Sequence, residues 1–296
     1  MKARHFMRMA GAAIQWGLLP IVTLCGAPAV AQMDFSGVWA NIRHEDNEPR
    51  DPLPGEYVGL PLSEAGLRRA DTWSAAVMNL PEWQCRPHPI FYIPRGIQPL
   101  LIQKEIDPVT RELVAFYVQG SESVGTPIYL DGRPHPSEHA LHTWSGFSTG
   151  EWVGSMLKIT TTHLKDSYLR RNGVNLSDET TMTQYWMRRG DILTWVQIHY
   201  DPVNLTEPYV RVSEYRHNPQ GHLEADECII ADQRPRRRGA VPHFLPGENP
   251  ALAIFAEQFE IPYEATRGGA ETMYPEYRER LQELGGVRIP SDPFVR

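Results

Sequence analysis

The sequence lacks the signatures of several common activities. It has no Gly-x-x-x-x-Gly-Lys and no Gly-x-Gly-x-x-Gly loop, which excludes the common nucleotide-binding chemistries. It also has no His-Glu-x-x-His pair and no Gly-x-Ser-x-Gly elbow, and the serine-containing stretch Ser145–Gly150 has a different spacing from that elbow. No motif therefore names a reaction.

An excess of positive charge is also missing. The chain has 29 basic and 36 acidic residues and a formal net charge of -7, which argues against a protein that coats nucleic acid. No apolar run outside the N-terminal segment is long enough to cross a bilayer. With 41% hydrophobic residues among 296, the chain is too apolar for a disordered protein and can bury a core.

The N-terminal segment has the pattern of a secretory signal. Lys2, Arg4 and Arg8 precede an apolar stretch over residues 9–24, and a small-x-small pattern follows at residues 29–31. We therefore expect a signal peptide of residues 1–31 and a periplasmic or secreted mature chain that does not span the membrane. Cleavage would remove three basic and no acidic residues and leave a net charge of -10.

Cysteine is scarce, with three in the whole chain. Cys25 lies in the predicted signal peptide, so Cys85 and Cys228 remain after cleavage. Two cysteines in an oxidising compartment favour a disulfide, which here would close a loop of about 140 residues. The alternative is a reactive thiol at Cys85, because Arg86 and His88 would lower its pKa.

The main part of the chain is dominated by segments typical of β-strands. They are rich in β-branched and aromatic residues and are separated by turn signals such as Arg189-Gly190-Asp191 and Asn172-Gly173. Short strands joined by tight turns predict a mainly β, antiparallel sandwich or barrel. The predicted strands are Leu113–Gln119, Met156–Leu164, Thr180–Arg188, Ile192–Tyr200 and Tyr209–Arg216.

Helical patterns flank these strands. Apolar residues recur at three- and four-residue steps after a capping Ser63, which predicts a helix over Ser63–Met78. Pro250–Phe259 and Ala270–Leu284 are further predicted helices. The predicted organisation is a signal peptide at 1–31, a β-barrel domain at 32–238 and a helical C-terminal extension at 239–296.

The beginning of the mature chain resembles the Gly-x-Trp opening of lipocalins and their calycin relatives. The residues that carry this resemblance are Gly37-Val38-Trp39. It implies a calycin-like barrel in which the tryptophan closes one end and an arginine from a late strand stacks on it. Arg211 and Arg216 are the expected partners through a cation–π contact.

Several longer motifs resemble those of a family of secreted bacterial proteins. This resemblance covers most of the predicted barrel and implies family membership, but it brings no reaction with it. The motifs are WQCRPH (83–88), DGRPHP (131–136), HTWSGFSTGEW (142–152), TTTHLKDSYLRRNG (160–173) and DPVNLTEPYVR (201–211).

Histidine spacing raises the hypothesis of a metal site. His135, His139 and His142 would align on one face if their segment were helical. His163 lies on the same side of a predicted strand as Leu157, Ile159 and Thr161, and would therefore point into the barrel. Such a set could hold a divalent metal such as zinc and activate a water molecule. Hydrogen-bonded loop histidines are the alternative, favoured by the prolines that flank His135.

A metal-free chemistry is a second hypothesis. His163 would act as a general base, oriented by Asp178 or Asp201. Arg170 and Arg171 would hold a substrate carboxylate or stabilise an oxyanion.

The aromatic content favours a binding function. Tryptophans and tyrosines lie in or beside the predicted strands, so part of them would line a pocket for a small, largely apolar or aromatic molecule. A hydrolase or lyase on the same barrel is the alternative. The partner is thus a small molecule and not a nucleic acid, and the oligomeric state stays open. The predicted ligand-binding residues are Arg133, His142, Trp144, Arg170 and Arg211.

Overall fold

The computed structural model of the chain describes residues 33–43, 52–95, 98–120, 123–223, 228–231 and 239–284. The predicted signal peptide lies outside the described residues, and so does the predicted domain boundary at residue 238.

Nine strands close into a barrel, in the spatial order β1-β11-β10-β9-β6-β5-β4-β3-β2. Burial alternates along the strands, because every second side chain points into the core that the barrel encloses. The remaining strands, β7 (Ser167–Tyr168) and β8 (Asn175–Leu176), form a separate two-stranded sheet. The barrel strands are β1 (Gly37–Ile42), β2 (Leu100–Ile106), β3 (Leu113–Gln119), β4 (Thr126–Tyr129), β5 (Phe147–Val153), β6 (Met156–Thr162), β9 (Thr181–Arg189), β10 (Ile192–Tyr200) and β11 (Tyr209–His217).

The prediction of a mainly β barrel is confirmed, and the neighbouring barrel strands pair antiparallel except at one position. β4 and β5 pair in parallel, with Ile128 opposite Ser148 and Tyr129 opposite Thr149. Parallel neighbours cannot be joined by a tight turn, because the chain must return to the end from which it started. Residues 130–146 make this return, and His135 on this crossover bonds to Thr149 and Thr162 of β5 and β6.

One end of the barrel, the aromatic end, is filled by Phe35, Trp39, Phe116, Trp152 and Trp186. The ring of Phe35 lies 5.4 Å from that of Trp186 and 5.9 Å from that of Trp152. The indole N–H of Trp39 donates to the carbonyl of Phe35 at 2.8 Å. The core at this end is therefore sealed by aromatic packing and by a bond to backbone.

The expectation that Arg211 or Arg216 stacks on Trp39 is wrong. Arg188 of β9 approaches the ring, with 5.1 Å between its guanidinium carbon and the ring centroid, and it also donates to the carbonyl of Asp34. Arg211 lies at the opposite end of β11, buried inside the barrel, and Arg216 is exposed. The side chain that reaches Trp39 comes from β9 because β11 turns its Arg216 outward next to β1.

The other end, the polar end, is lined by Gln197, His199, Arg211 and Ser213, all buried. It is covered by residues 85–95, here called the closing segment. Gln197 donates to the carbonyl of Ile90 at 3.4 Å, and Ser213 donates to that of Pro94 at 3.2 Å.

The predicted disulfide between Cys85 and Cys228 is present and ties the closing segment to the chain after β11. Gln84 strengthens this junction through its side-chain amide. The amide oxygen accepts from the backbone N–H of Ala231 at 2.7 Å, and the amide nitrogen donates to the carbonyl of the same residue at 3.1 Å.

Helices lie outside the barrel. Ser63 caps α1 by accepting from the backbone N–H of Gly66, but the predicted continuous helix to Met78 is broken after α1, where Ser74 caps a new 3-10 turn. The predicted helix over 270–284 is likewise split, because Pro275 begins α4 as its first residue. The α-helices are α1 (Glu64–Asp71), α2 (Pro81–Gln84), α3 (Ile254–Phe259) and α4 (Pro275–Glu283), and the 3-10 turns are Ala75–Asn79, Ile93–Arg95, Tyr263–Arg267 and Ala270–Met273.

The C-terminal extension packs against α1 and the loop before it. Arg267 forms an ion pair with Asp71, both four-fifths buried, and its guanidinium lies 5.5 Å from the ring centroid of Tyr57. Asn249 donates to the carbonyls of Asp71 and Trp73. Within the described part of the chain, no helix is long and apolar enough to cross a membrane.

Candidate functional site

Three segments bring aromatic and cationic side chains together beside the closing segment. The first is α2 with the closing segment, and the second is the crossover between β4 and β5. The third runs from the end of β6 through β7 to Arg171. We call this group the aromatic–cationic cluster, and it consists of Trp83, Arg86, His88, Tyr92, Trp144, Lys165, Tyr168 and Arg171.

Arg86 contacts two indole rings. Its guanidinium carbon lies 3.4 Å from the ring centroid of Trp83 and 4.8 Å from that of Trp144. The ammonium of Lys165 lies 4.9 Å from the centroid of the same Trp144 ring. Both cations are thus within cation–π range of one indole.

Backbone bonds hold Trp144 and Lys165 in this arrangement. Thr143 and Leu164 form a parallel bridge, in which the N–H of Lys165 donates to the carbonyl of Thr143 at 2.9 Å. Nδ1 of His142 contacts the carbonyl of Leu164 at 2.8 Å. His142, one of the predicted ligand-binding residues, therefore positions the backbone next to the cluster.

The second half of the cluster is a set of packed rings. Tyr92 lies 4.7 Å from His88 and packs edge-to-face on Tyr168 at 4.9 Å. Trp83 joins the two halves, with its ring 6.4 Å from that of Tyr168. Arg171 donates to Nε2 of His88 at 2.9 Å, so this nitrogen is the acceptor and the His88 imidazole is neutral.

Asp166 and Glu82 act on Arg86 electrostatically, but neither forms an ion pair with it in the described chain. Asp166 follows Lys165 in the chain, but its carboxylate pairs with Arg69 and accepts from Asn175. Within the described residues, no carboxylate lies at ion-pair distance from the guanidinium of Arg86 or the ammonium of Lys165. Partial burial lowers the pKa of Arg86.

Under the closing segment, the barrel interior contains a chain of satisfied polar groups. The hydroxyls of Ser148 and Thr161 are 2.8 Å apart, and Gln184 donates to Thr161 at 2.9 Å. The indole N–H of Trp195 donates to Gln184 at 2.8 Å. These groups satisfy one another, so they act as a rigid polar layer inside the core.

His199 is fully buried at the polar end. Burial and the positive charge of Arg211 lower its pKa to about 3, so the imidazole is neutral near pH 7. Its ring packs edge-to-face on Phe91 of the closing segment at 6.1 Å and stacks on Tyr209 at 5.7 Å. Neither ring nitrogen has a hydrogen-bond partner among the described residues. Arg211, a predicted ligand-binding residue, therefore belongs to the core and not to the cluster.

The expectation that three histidines share a helical face is wrong, because residues 131–146 contain no helix. His135 lies on the outside of the barrel with its two ring nitrogens 2.8 Å from the hydroxyls of Thr162 and Thr149. His139 is 88% exposed beside Glu138. In the portion of the chain with described structure, no group of three or more His, Cys, Asp or Glu residues is arranged to hold a metal ion.

His163 does not point into the barrel as expected. β6 ends at Thr162, and His163 adopts a positive φ of 57°, which ends the strand alternation. Its ring nitrogens contact the hydroxyl of Thr162 at 2.7 Å and the carbonyl of Ser137 at 2.8 Å. The ring lies 5.3 Å from that of His142, so these two predicted residues do meet.

The two carboxylates expected beside His163 lie elsewhere. Asp178 is exposed. Asp201 is buried and accepts from the backbone and hydroxyl of Ser177 at 2.7 and 2.6 Å, and from the backbone of Asn204 at 3.2 Å. These bonds lower the pKa of Asp201 against the opposing effect of burial. Its carboxylate therefore fixes the turn after β10.

Two of the predicted ligand-binding arginines, Arg133 and Arg170, lie outside the aromatic–cationic cluster. Arg133 contacts Asp131 through Nε at 2.8 Å and lies over the ring of Tyr129 at 3.7 Å, so it is held by its own neighbour in the crossover. Arg170 is half-buried, and its backbone N–H donates to the carbonyl of Val174.

Of the predicted ligand-binding residues, Trp144 lies in the cluster and His142 lies next to it, and Arg171, predicted to hold a carboxylate together with Arg170, lies in the cluster as well. Most of the cluster was missed as a site, although the motifs described above contain it. WQCRPH holds Trp83, Arg86 and His88, and TTTHLKDSYLRRNG holds Lys165, Tyr168 and Arg171.

Comparison with protein-family models, with curated proteins and with solved structures found no match to this chain. The function is therefore argued from the geometry of the cluster.

Proposed function

We propose that this chain is an exported, calycin-like barrel protein that binds a small, largely aromatic molecule at the aromatic–cationic cluster. One observation carries this proposal. Trp83 and Trp144, which come from distant parts of the chain, are both only half-buried, and the guanidinium carbon of Arg86 lies 3.4 Å and 4.8 Å from their ring centroids. Half-exposed indoles fixed by their neighbours are suited to contact an aromatic ligand.

The barrel interior is a poorer location for this ligand. Trp39, Trp186, Trp195 and Tyr215 are fully buried there and are among the largest buried side chains of the chain. The polar end is covered by the closing segment. We therefore assign the ligand to the outside of the closing segment, where the cluster lies.

Export is supported by the N-terminal pattern and by the Cys85–Cys228 disulfide, because disulfides persist in oxidising compartments. The alternative of a hydrolase or lyase that uses His163 has no specific support. Both ring nitrogens of His163 are engaged by Thr162 and Ser137, and the carboxylate of Asp201 is bonded elsewhere.

The test is fluorescence titration of the mature chain with N-phenyl-1-naphthylamine, a neutral aromatic probe. We expect saturable binding that weakens about tenfold or more in Trp144→Ala, because an aromatic contact of this size is worth roughly 1–3 kcal/mol. The control is Tyr274→Ala, which removes an aromatic ring that is 63% exposed and outside the cluster. Absence of saturable binding to the folded chain, or an equal loss in both variants, would refute the proposal.

A further inference from the structure

Arg86 and Lys165 of the cluster contrast with several cations elsewhere in the described chain that form ion pairs with carboxylates. These pairs are Arg68–Glu64, Arg69–Asp166, Lys104–Asp34, Arg133–Asp131, Lys158–Glu151 and Arg267–Asp71.

Arg86 is partly buried and yet has no such counterion in the described chain. Its Nε is inaccessible to solvent and has no hydrogen-bond partner there. The faces of Trp83 and Trp144 attract the cation, but an aromatic face offers no acceptor in the plane of the guanidinium N–H groups. The donors of Arg86 are therefore held in place without an acceptor.

Lys165 adds a second cation on the same ring. Its side chain is exposed, and its ammonium lies 4.9 Å from the centroid of the Trp144 indole. The acid next to it, Asp166, turns away to Arg69. The two cations therefore share the Trp144 indole as a neighbour, and an anion bound beside this ring would be attracted by both charges.

We propose that the ligand of the cluster is anionic: an aromatic molecule with a carboxylate or sulfonate group, which Arg86 and Lys165 bind while the tryptophans contact the ring. This inference rests on the proposed function and specifies the chemical class of the ligand. Charge-assisted hydrogen bonds from a guanidinium to such a group are short and strong, and a half-buried position protects them from screening by salt.

The experiment compares two probes that share one aromatic skeleton. The first is N-phenyl-1-naphthylamine, and the second is 8-anilino-1-naphthalenesulfonate, which carries an additional sulfonate. We expect the sulfonate probe to bind more tightly to the wild-type chain. In Arg86→Gln it should lose affinity by about tenfold to a hundredfold, the range expected for hydrogen bonds to a charged group. The neutral probe should change by less than about twofold.

Lys165→Gln provides a variant that does not risk the fold, because this side chain is exposed. It should weaken the sulfonate probe alone, by about twofold to fivefold. Lys158→Gln is the charge-matched control, since Lys158 pairs with Glu151 on the barrel surface away from the cluster, and it should change neither probe. Near-UV circular dichroism establishes that each variant is folded, since the sulfonate probe also binds partly folded chains.

The outcomes separate this inference from the proposed function. If the neutral probe binds and both cluster variants leave the sulfonate probe unchanged, the anionic ligand is refuted and the aromatic site stands. A parallel loss of both probes in Arg86→Gln and Lys165→Gln also refutes it, because charge would then have no specific role. If the neutral probe fails to bind, the proposed function fails, and a selective loss of the sulfonate probe still supports an anion site.

Discussion

The two ends of the barrel are built from the same strands but differ in how they are closed. β9 and β10 place Trp186 and Trp195 toward the aromatic end, and Gln197 and His199 toward the polar end. The aromatic end is sealed by its own side chains and by the bond from Trp39 to Phe35. The polar end needs a separate cover.

That cover is the closing segment. It supplies backbone carbonyls to the buried donors of Gln197 and Ser213, and a disulfide holds one end of it. The aromatic end is thus closed by side chains of the strands and of Phe35, whereas the polar end is closed by a separate segment that buries Ile90 and Phe91 and adds a disulfide and hydrogen bonds. The aromatic–cationic cluster lies on the side whose closure depends on these separate contacts.

The largest effect should follow from damage to the aromatic end. Trp39→Ala removes a fully buried indole and leaves a cavity, so we expect the free energy of unfolding to fall by about 3–5 kcal/mol. Urea denaturation followed by circular dichroism measures this change. Tyr274→Ala is the control and should stay within about 0.5 kcal/mol of wild type. If Trp39→Ala and wild type have the same free energy of unfolding, packing at the aromatic end does not stabilise the fold as proposed.

Loss of the disulfide should act on the polar end. Cys85→Ser with Cys228→Ser opens a loop of 143 residues, and we expect a loss of about 2–4 kcal/mol. Hydrogen exchange followed by mass spectrometry should show faster exchange in residues 85–95 than in β9 and β10. Uniformly faster exchange would contradict the separate closure of the two ends.

The smallest of the three effects concerns pH and His199. The unfolded chain protonates this histidine near pH 6.5, whereas the folded chain does so only near pH 3. The unfolded state therefore binds more protons between these values, and stability falls as the pH is lowered through this interval. The loss from this group is roughly 2 kcal/mol at pH 5.

His199→Gln removes this titration and should lose less stability than wild type between pH 7 and pH 5 in urea denaturation. His139→Gln is the control, because His139 is 88% exposed. If all three proteins lose stability in parallel, His199 is not the group responsible, and the polar end is more open to water than its burial indicates.

Part of the fold could be predicted from local sequence. The bounds of β3 and β10 match the predicted strands residue for residue, because alternation of β-branched and aromatic residues over seven or nine positions is a strong signal. β5 escaped prediction, since its FSTGEWV sequence contains Gly150 and little β-branched content. Its parallel pairing with β4 depends on the crossover, which has no periodic pattern.

The candidate site was harder to predict than the strands. Trp144 was identified from its aromatic type alone, whereas Arg86 was noticed only as a neighbour of Cys85. Nothing local indicates that Arg86, Trp144 and Lys165 meet, because Trp144 lies 58 positions after Arg86 and 21 before Lys165. The Thr143–Leu164 bridge brings only the last two together. Histidine spacing was misleading for the same reason, since a spacing is meaningful only in a helix that the crossover does not form.

Local patterning and the small number of cysteines were enough to predict five of the barrel strands, the disulfide partners and the cap of α1 at Ser63. The contact of Arg188 with Trp39, the burial of Arg211 with His199 and the contact of Arg86 with two indoles follow from the tertiary structure alone. The physical reason is that these contacts depend on register, strand order and barrel closure. Those features follow from the packing of the whole chain.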